Sequence, residues 1–261
     1  MSAVAMQPTL CAICRTYEKA AELYPATFDQ ESFRPATFSA RRAPDGIHYR
    51  IVKCHACGLV RSDPVADSQT LTELYARSSF DYGAEAGNIR ATYGRYLAKT
   101  ARLQKRKGAL LEIGCGSGFF MEEALVQGYR PVQGIETSRL AVASAAPIIR
   151  PNIICDAMRP GIFGPGNFEI ICMFQVLDHL SEPWVILDEC FKLLRPGGCM
   201  LFINHNIESI SAKLLKDRSP IIDIEHTYLF SRTTLRRLLW VYGFDILDSG
   251  SVWNTYTLRY L

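Results

Sequence analysis

The sequence predicts an α/β protein, a Rossmann-like parallel sheet with helices on both faces, preceded by a small β-rich module. From Leu110 to Asn204, short apolar runs alternate with segments of helical period, the pattern of parallel strands joined by crossover helices. The first run, Leu110-Leu111-Glu112-Ile113, enters Gly114-Cys115-Gly116-Ser117-Gly118 and then Phe119-Phe120-Met121, which reads as strand, glycine turn and helix start. Ahead of it, Cys11-Ala12-Ile13-Cys14 and Cys54-His55-Ala56-Cys57-Gly58 bracket a segment with strand and turn signals. At 261 residues there is room for one large domain and a small appendage.

Along the chain, residues 1–64 form the cysteine-bounded module. Thr37-Phe38-Ser39 and Ile47 to Val52 are its expected strands, about the turn Pro44-Asp45-Gly46, and Asp63-Pro64 ends it. Residues 65–107 are a helical lead-in. There Asp67-Ser68 caps a helix over Leu71 to Tyr75, and Gly83 to Gly87 loosens the backbone. A second helix is expected over Ile89 to Arg106, with Ile89, Tyr93, Tyr96, Leu97 and Ala101 at helical spacing. Residues 108–261 form the main domain. After Asn204 come an irregular polar segment (205–230), a helix opened by Ser231, and two last strands, Phe244 to Leu247 and Ser251 to Tyr260, placed to pair as a hairpin.

The two cysteine pairs can each clamp a metal ion from a tight turn, and together they offer four thiolates, Cys11, Cys14, Cys54 and Cys57, to one structural zinc. Residues 15–53 between them exceed the spacing of about 15–20 common in such sites. A redox-active pair is the alternative, but neither pair opens a helix after a buried strand. His55 could serve as a ligand or lie at the surface. Cys115, Cys155, Cys172, Cys190 and Cys199 stand singly and read as small buried hydrophobes, kept reduced.

The glycine turn is suited to a nucleoside. Glycines let a ligand approach the backbone, the following helix presents N–H groups, and Glu136, closing the next strand Gly134-Ile135, can grip two ribose hydroxyls. The third glycine falls at 118 and Phe follows, so a dinucleotide fingerprint is absent and a nucleoside without phosphates is favoured. A glycine-rich turn with no ligand is the plain alternative.

These residues resemble motif I, ExGxGxG, of the class I S-adenosylmethionine-dependent methyltransferases, and Glu136 matches the next motif. Asn152 to Ala157, Phe168 to Leu180 and Phe191 to Gly198 resemble, in order, the third strand, the fourth strand with its active-site loop, and the turn before the fifth. The resemblance implies a seven-stranded sheet and S-adenosylmethionine as cofactor. It implies cofactor contacts at Glu112, Gly114, Cys115, Gly116, Gly118, Glu136, Asp156, which meets the adenine amino group, and Gln175. His179, after the fourth strand, borders the cofactor or moves a proton.

Cysteine knuckles ahead of such a core, with Glu225-His226 before Phe230-Ser231, are similar to the deoxysugar C-methyltransferases. The pair is then expected to deprotonate the acceptor, a task for a group titrating near neutrality. Asp223 stands where that family places a tyrosine, and its C-terminal acceptor domain has no counterpart. The acceptor is expected to be a small molecule, methylated at a hydroxyl or carbon of a sugar, a nucleotide-linked sugar or a glycan. A capping or packing role for Glu225 and His226 is the plain alternative.

The net charge of +3 does not demand a nucleic-acid partner, and Lys99, Arg102, Lys105, Arg106 and Lys107 read as a solvated helix face. No run of 18 apolar residues and no leader pattern is present, so the chain is expected in the cytoplasm with no membrane partner. Two rival readings remain. A zinc-ribbon RNA methyltransferase would use Arg34, Arg41, Arg42, Arg50, Lys53 and Arg61; a non-catalytic relative would bind cofactor or only keep the fold.

Overall fold

The computed structural model describes residues 4–39, 45–78, 83–104 and 107–253. Its strands are β1 (Met6–Gln7), β2 (Ala20–Tyr24), β3 (Ile51–Cys54), β4 (Val60–Ser62), β5 (Val65–Ala66), β6 (Leu110–Ile113), β7 (Val132–Ile135), β8 (Ile153–Ile154), β9 (Phe168–Phe174), β10 (Leu194–Ile203) and β11 (Tyr228–Leu229). The helices are α1 (Ser68–Ala76), α2 (Ala86–Thr100), α3 (Phe119–Val126), α4 (Arg139–Ser144), α5 (Pro183–Leu193), α6 (Ile210–Leu215) and α7 (Arg232–Val241). Two compact units share the chain. One comprises residues 1–78, 175–187 and 204–246, the other residues 79–174, 188–203 and 247–261. This grouping crosses the boundaries at 64 and 107 read along the sequence.

The second unit carries the parallel sheet, in the order β10-β9-β6-β7-β8. Every residue of β9 is buried, as suits a central parallel strand that is apolar but for Glu169, whose carboxylate pairs with Arg195 at 3.0 Å. Ile89, Tyr93 and Leu97, one face of α2, pack with Phe120, Met121 and Ala124 of α3 in the core of this unit. Among the described residues the sheet has five strands, not seven. Phe244 to Leu247 is not a strand; the Phe244 N–H instead returns to the Leu239 carbonyl and closes α7. Farther on, side chains of α2 hold the segment. Lys99 pairs with Asp248 at 2.7 Å, the Tyr96 hydroxyl donates to the Ser251 carbonyl, and Arg95 donates to that of Trp253. Residues 254–260 of the expected hairpin lie outside the described residues.

The first unit holds an antiparallel sheet, β11-β4-β3-β2, and the short pair β1-β5. Thr37-Phe38-Ser39 is a turn, not a strand. Pro35 and the residue before it supply carbonyls that accept from the Phe38 and Thr37 N–H groups, and the Ser39 hydroxyl also returns to Pro35. This turn places Phe38 in an aromatic cluster with Phe28, Phe33, Tyr49 and Tyr75. Ala20–Tyr24, which has no alternating pattern, pairs with β3 in its place. The strand expected from Ile47 begins only at Ile51.

The caps follow the sequence. Asp67 accepts from the Thr70 N–H at the start of α1, and Ser231 with Thr234 forms a capping box on α7. Cys155 is exposed and Cys199 half-buried, because β8 is only two residues long and β10 is an edge; Cys115, Cys172 and Cys190 are buried. No helix among the described residues is long and apolar enough to cross a membrane.

Candidate functional site

In the second unit, β6 ends on a turn that only glycine adopts with ease. Gly114, Gly116 and Gly118 have φ of +72°, +55° and +75°. A Cβ on Gly118 would lie 2.5 Å from a methyl of Ile149, and one on neighbouring Gly134 2.6 Å from the sulfurs of Cys115 and Met121. The helix α3 then starts without a side-chain cap. Glu136 closes the turn from β7: its Oε2 accepts from the Gly116 N–H at 2.9 Å and its Oε1 from the Ser138 N–H at 2.7 Å. Glu112 is buried in β6, and its Oε2 has no hydrogen-bond partner. Burial, with Glu136 beside it, pushes the Glu112 carboxyl well above the usual carboxylate range. Burial also raises Glu136, against which its backbone donors act. Asp156 follows β8 and is exposed, paired with Arg159 at 3.0 Å and accepting from the Ala157 N–H.

In the first unit, the four paired cysteines converge. The sulfurs of Cys11, Cys14, Cys54 and Cys57 all lie within 4.8 Å of one another, with 3.5 Å between Cys11 and Cys57 and 4.0 Å between Cys14 and Cys54. Arg15 and Gly58, each after a second cysteine, take positive φ and tighten the two knuckles. His55 is exposed and outside the cluster. The expected basic surface is not assembled as read. Arg61 is wholly buried, with Nε donating to the Thr9 carbonyl and Nη2 to that of Tyr17, on either side of the first knuckle. Arg50 is engaged by Asp63, while Arg41 and Arg42 lie outside the described residues.

The same unit gathers a second cluster around Asp178. Three histidines surround this buried carboxylate. His205 Nδ1 is 2.8 Å from Oδ2, His226 Nε2 is 3.9 Å from Oδ2, and His179 Nε2 is 3.9 Å from Oδ1. The rings of His179 and His226 have centroids 4.7 Å apart. His226 Nδ1 lies 3.0 Å from the Ile221 carbonyl, and His179 Nδ1 3.0 Å from the hydroxyl of Tyr75, which also donates to the Glu225 carbonyl. Burial holds both His179 and His226 below the ordinary imidazole value, favouring the neutral rings. Burial works against an ionised Asp178, yet the hydrogen bond from His205 keeps that carboxyl well below the usual range.

Glu225 is half-buried next to His226, and Ile221, not Glu225, orients the His226 ring. Asp223, the departure from the tyrosine, builds the turn before the pair: its Oδ1 accepts from the Glu225 N–H and its carbonyl from the His226 N–H. Asp178, His205 and Tyr75 were not singled out from the sequence. Asp178 and His205 follow β9 and β10 in the chain. Gln175, just after β9, holds a φ of +55°, an uncommon conformation for a side chain of its kind.

Residues 86–249 match the family model described as a methyltransferase domain. The chain belongs to the S-adenosylmethionine-dependent methyltransferases. It is 31% identical over 121 residues to the ubiquinone biosynthesis O-methyltransferase of Psychrobacter arcticus, a match covering 42% of this chain and 47% of that one. With the Caulobacter vibrioides enzyme of the same name it shares 31% over 103 residues, 37% of this chain and 40% of the other. The chain thus spans about half the length of the curated relatives it matches. Among solved structures it is similar to the plantazolicin methyltransferase BpumL in complex with SAH (TM-score 0.51, 18% identity, 68% of this chain and 70% of that one). It is also similar to a chain of the complex between the Haloferax volcanii Trm112 methyltransferase activator and a methyltransferase (TM-score 0.52, 18% identity, 64% of this chain and 75% of that one). At these identities the structures show the fold, which here is the α/β methyltransferase fold.

The acid pair of this methyltransferase makes its ligand-free stability depend on pH. Glu112 is protonated more readily in the folded chain than in the unfolded one. The stability it contributes is therefore full below the ordinary carboxylate range and is lost as pH rises toward the raised value, at about 1.4 kcal/mol per pH unit. Thermal melts of the ligand-free protein should fall from acidic to neutral pH, and Glu112→Gln should flatten that slope. Equal slopes in both proteins would show that Glu112 is not held neutral.

Proposed function

We propose that this methyltransferase transfers the methyl group of S-adenosylmethionine to a small-molecule acceptor, at a sugar or glycan-related hydroxyl or carbon. The observation that carries the cofactor half is the state of Glu136. Each of its oxygens already accepts one backbone N–H, and each keeps a lone pair for one of two ribose hydroxyls. Gly114, Cys115, Gly116 and Gly118 give the nucleoside a backbone lining. The unpartnered Oε2 of buried Glu112 suits a positively charged group of the cofactor. Asp156 is assigned to the adenine amino group and Gln175 to the strand end beside the cofactor. When bound, the cofactor supplies an electrophilic methyl carbon on a sulfonium.

The acceptor side is assigned to His226 and His179, with Glu225 beside them. In-line methyl transfer to a hydroxyl or a carbon acid asks the protein to hold the acceptor and take charge of its proton. Two neutral imidazoles near a buried carboxylate suit that task. Small-molecule O-methylation is the activity in the relatives' names. A sugar-type acceptor is favoured by two features together: converging cysteine knuckles, and Glu225-His226 ahead of a Ser-capped helix, as in the deoxysugar C-methyltransferases. Nine free thiols suit the reducing cytoplasm.

A structural zinc is assigned to Cys11, Cys14, Cys54 and Cys57. Zinc–sulfur bonds of about 2.3 Å set tetrahedral sulfurs about 3.8 Å apart, and the separations of 3.5 and 4.0 Å fit that figure. A tetrathiolate zinc carries net negative charge. The buried Arg61 guanidinium, whose Nη1 has no hydrogen-bond partner, reaches across the first knuckle and suits it as a counter-charge.

Glu136→Ala leaves the ribose hydroxyls without a charged acceptor. With such bonds worth about 1.5–3 kcal/mol, calorimetry should find S-adenosylmethionine bound roughly ten-fold or more weakly. Unchanged affinity would remove Glu136 from the site. Elemental analysis of protein purified without added metal should give one zinc held by the four cysteines; a disulfide within either pair, seen by mass spectrometry, would reject the assignment. His226→Ala should lower turnover on the acceptor by about 10²–10⁴-fold with cofactor affinity nearly unchanged. Turnover near the parent value would move the role to His179.

A further inference from the structure

The histidine cluster has more acceptors than donors. His226 Nδ1 faces a backbone carbonyl, that of Ile221, so this nitrogen carries the ring's hydrogen. Tyr75 gives its hydroxyl hydrogen to the Glu225 carbonyl, so its oxygen accepts from His179 Nδ1. In both rings Nε2 is left as a lone pair. Those two lone pairs and the Asp178 carboxylate converge within 4.8 Å of one another. Oδ1 of Asp178 is buried with no hydrogen-bond partner, and Asp178 itself is 1% exposed. Acceptors turned toward one another in buried surroundings are costly unless a cation sits among them.

We infer that Asp178, His179 and His226 bind a divalent transition-metal ion, at a second metal site apart from the four cysteines. Two imidazoles and one carboxylate suit Zn²⁺, Fe²⁺, Co²⁺ or Mn²⁺, whereas Ca²⁺ and Mg²⁺ ask for oxygen ligands. Bonds of about 2.0–2.2 Å put tetrahedral ligand atoms about 3.3–3.6 Å apart. The separations of 3.9 Å, from Asp178 Oδ1 to His179 Nε2 and from Oδ2 to His226 Nε2, are a few tenths of an ångström wider, so the three side chains draw in slightly when the ion binds. The outer atoms are already fixed, His226 by Ile221, His179 by Tyr75 and Asp178 by His205, as metal-bound ligands are in their supporting shell. Three protein ligands leave positions open for an oxygen of the acceptor. The inference rests on the acceptor-side reading for the place of the site and changes the part of His226 in it: a metal-bound His226 holds the ion, and the ion, not the imidazole, meets the acceptor oxygen. It is independent of the cofactor reading.

The test is a titration of the chelator-treated, full chain with Co²⁺, followed by absorbance and by metal counting. The expected result is one equivalent of cobalt without thiolate-to-cobalt charge-transfer absorption, in addition to any that enters the four-cysteine site and shows that absorption. His226→Gln and half-buried His179→Gln should each weaken it by well over the 10–100-fold that loss of a supporting partner costs. Calorimetry of S-adenosylmethionine binding in the same variants serves as the check on folding. Cobalt only at thiolates, or nitrogen- and oxygen-bound cobalt with undiminished affinity in a folded variant, would overturn the inference. Failure of the parent protein to bind S-adenosylmethionine would count against the cofactor reading alone.

Discussion

The first unit depends on the hydrogen-bonding demands of one three-residue strand. β4 is buried throughout, so each of its polar groups needs a partner inside the protein. β3 satisfies one edge and β11 the other. The Arg61 side chain spends two donors on carbonyls flanking the first cysteine knuckle. The Ser62 hydroxyl donates to the carbonyl of His226 at 2.7 Å, and its N–H to that of Thr227. Through β4, then, the cysteine knuckles and the histidine cluster are parts of one structure. The cysteine module is a wall of the unit that carries His226, not an appendage to a finished enzyme.

Two buried acids meet opposite fates for one reason. Glu112 in β6 has an oxygen with no donor in reach and another acid nearby, so its neutral form is favoured. Asp178 is as deeply buried, but His205 gives it a short hydrogen bond and it stays ionised. Burial is common to both, and the number of donors separates them. Each is a buried polar group left incompletely satisfied, as expected where a ligand completes a site.

What the sequence revealed was mostly local. The glycine turn after β6, the Asp67 and Ser231 caps and the two knuckles each depend on residues a few positions apart, and each formed where it was read; the segment read as a turn before the fifth strand instead opens β10 at Leu194, and the third strand shrinks to Ile153–Ile154. Thr37 to Ser39 failed because Pro35 offered a nearer carbonyl to the same backbone. The last hairpin failed over its described part because Lys99, Tyr96 and Arg95 of a distant helix held the chain. Asp178, His205 and His226 come from three separate loops, and no spacing announces such a meeting. Asp223 looked like a loss when set against a tyrosine; its part in the turn was visible only once the Glu225 N–H had a place.

The interleaving of the first unit has a consequence for how the protein is made. Ser62 leaves the ribosome long before Tyr228, its neighbour's partner in the sheet, has been translated. At about 5–20 residues per second, that delay is on the order of ten to thirty seconds. During that interval β4 can pair with β3 but not with β11, and one edge of a buried strand stays open to any other extended chain. The nascent cysteine knuckles are complete by Cys57, so a metal ion taken up early could fold the two pairs together while the rest of the sheet is still being synthesised.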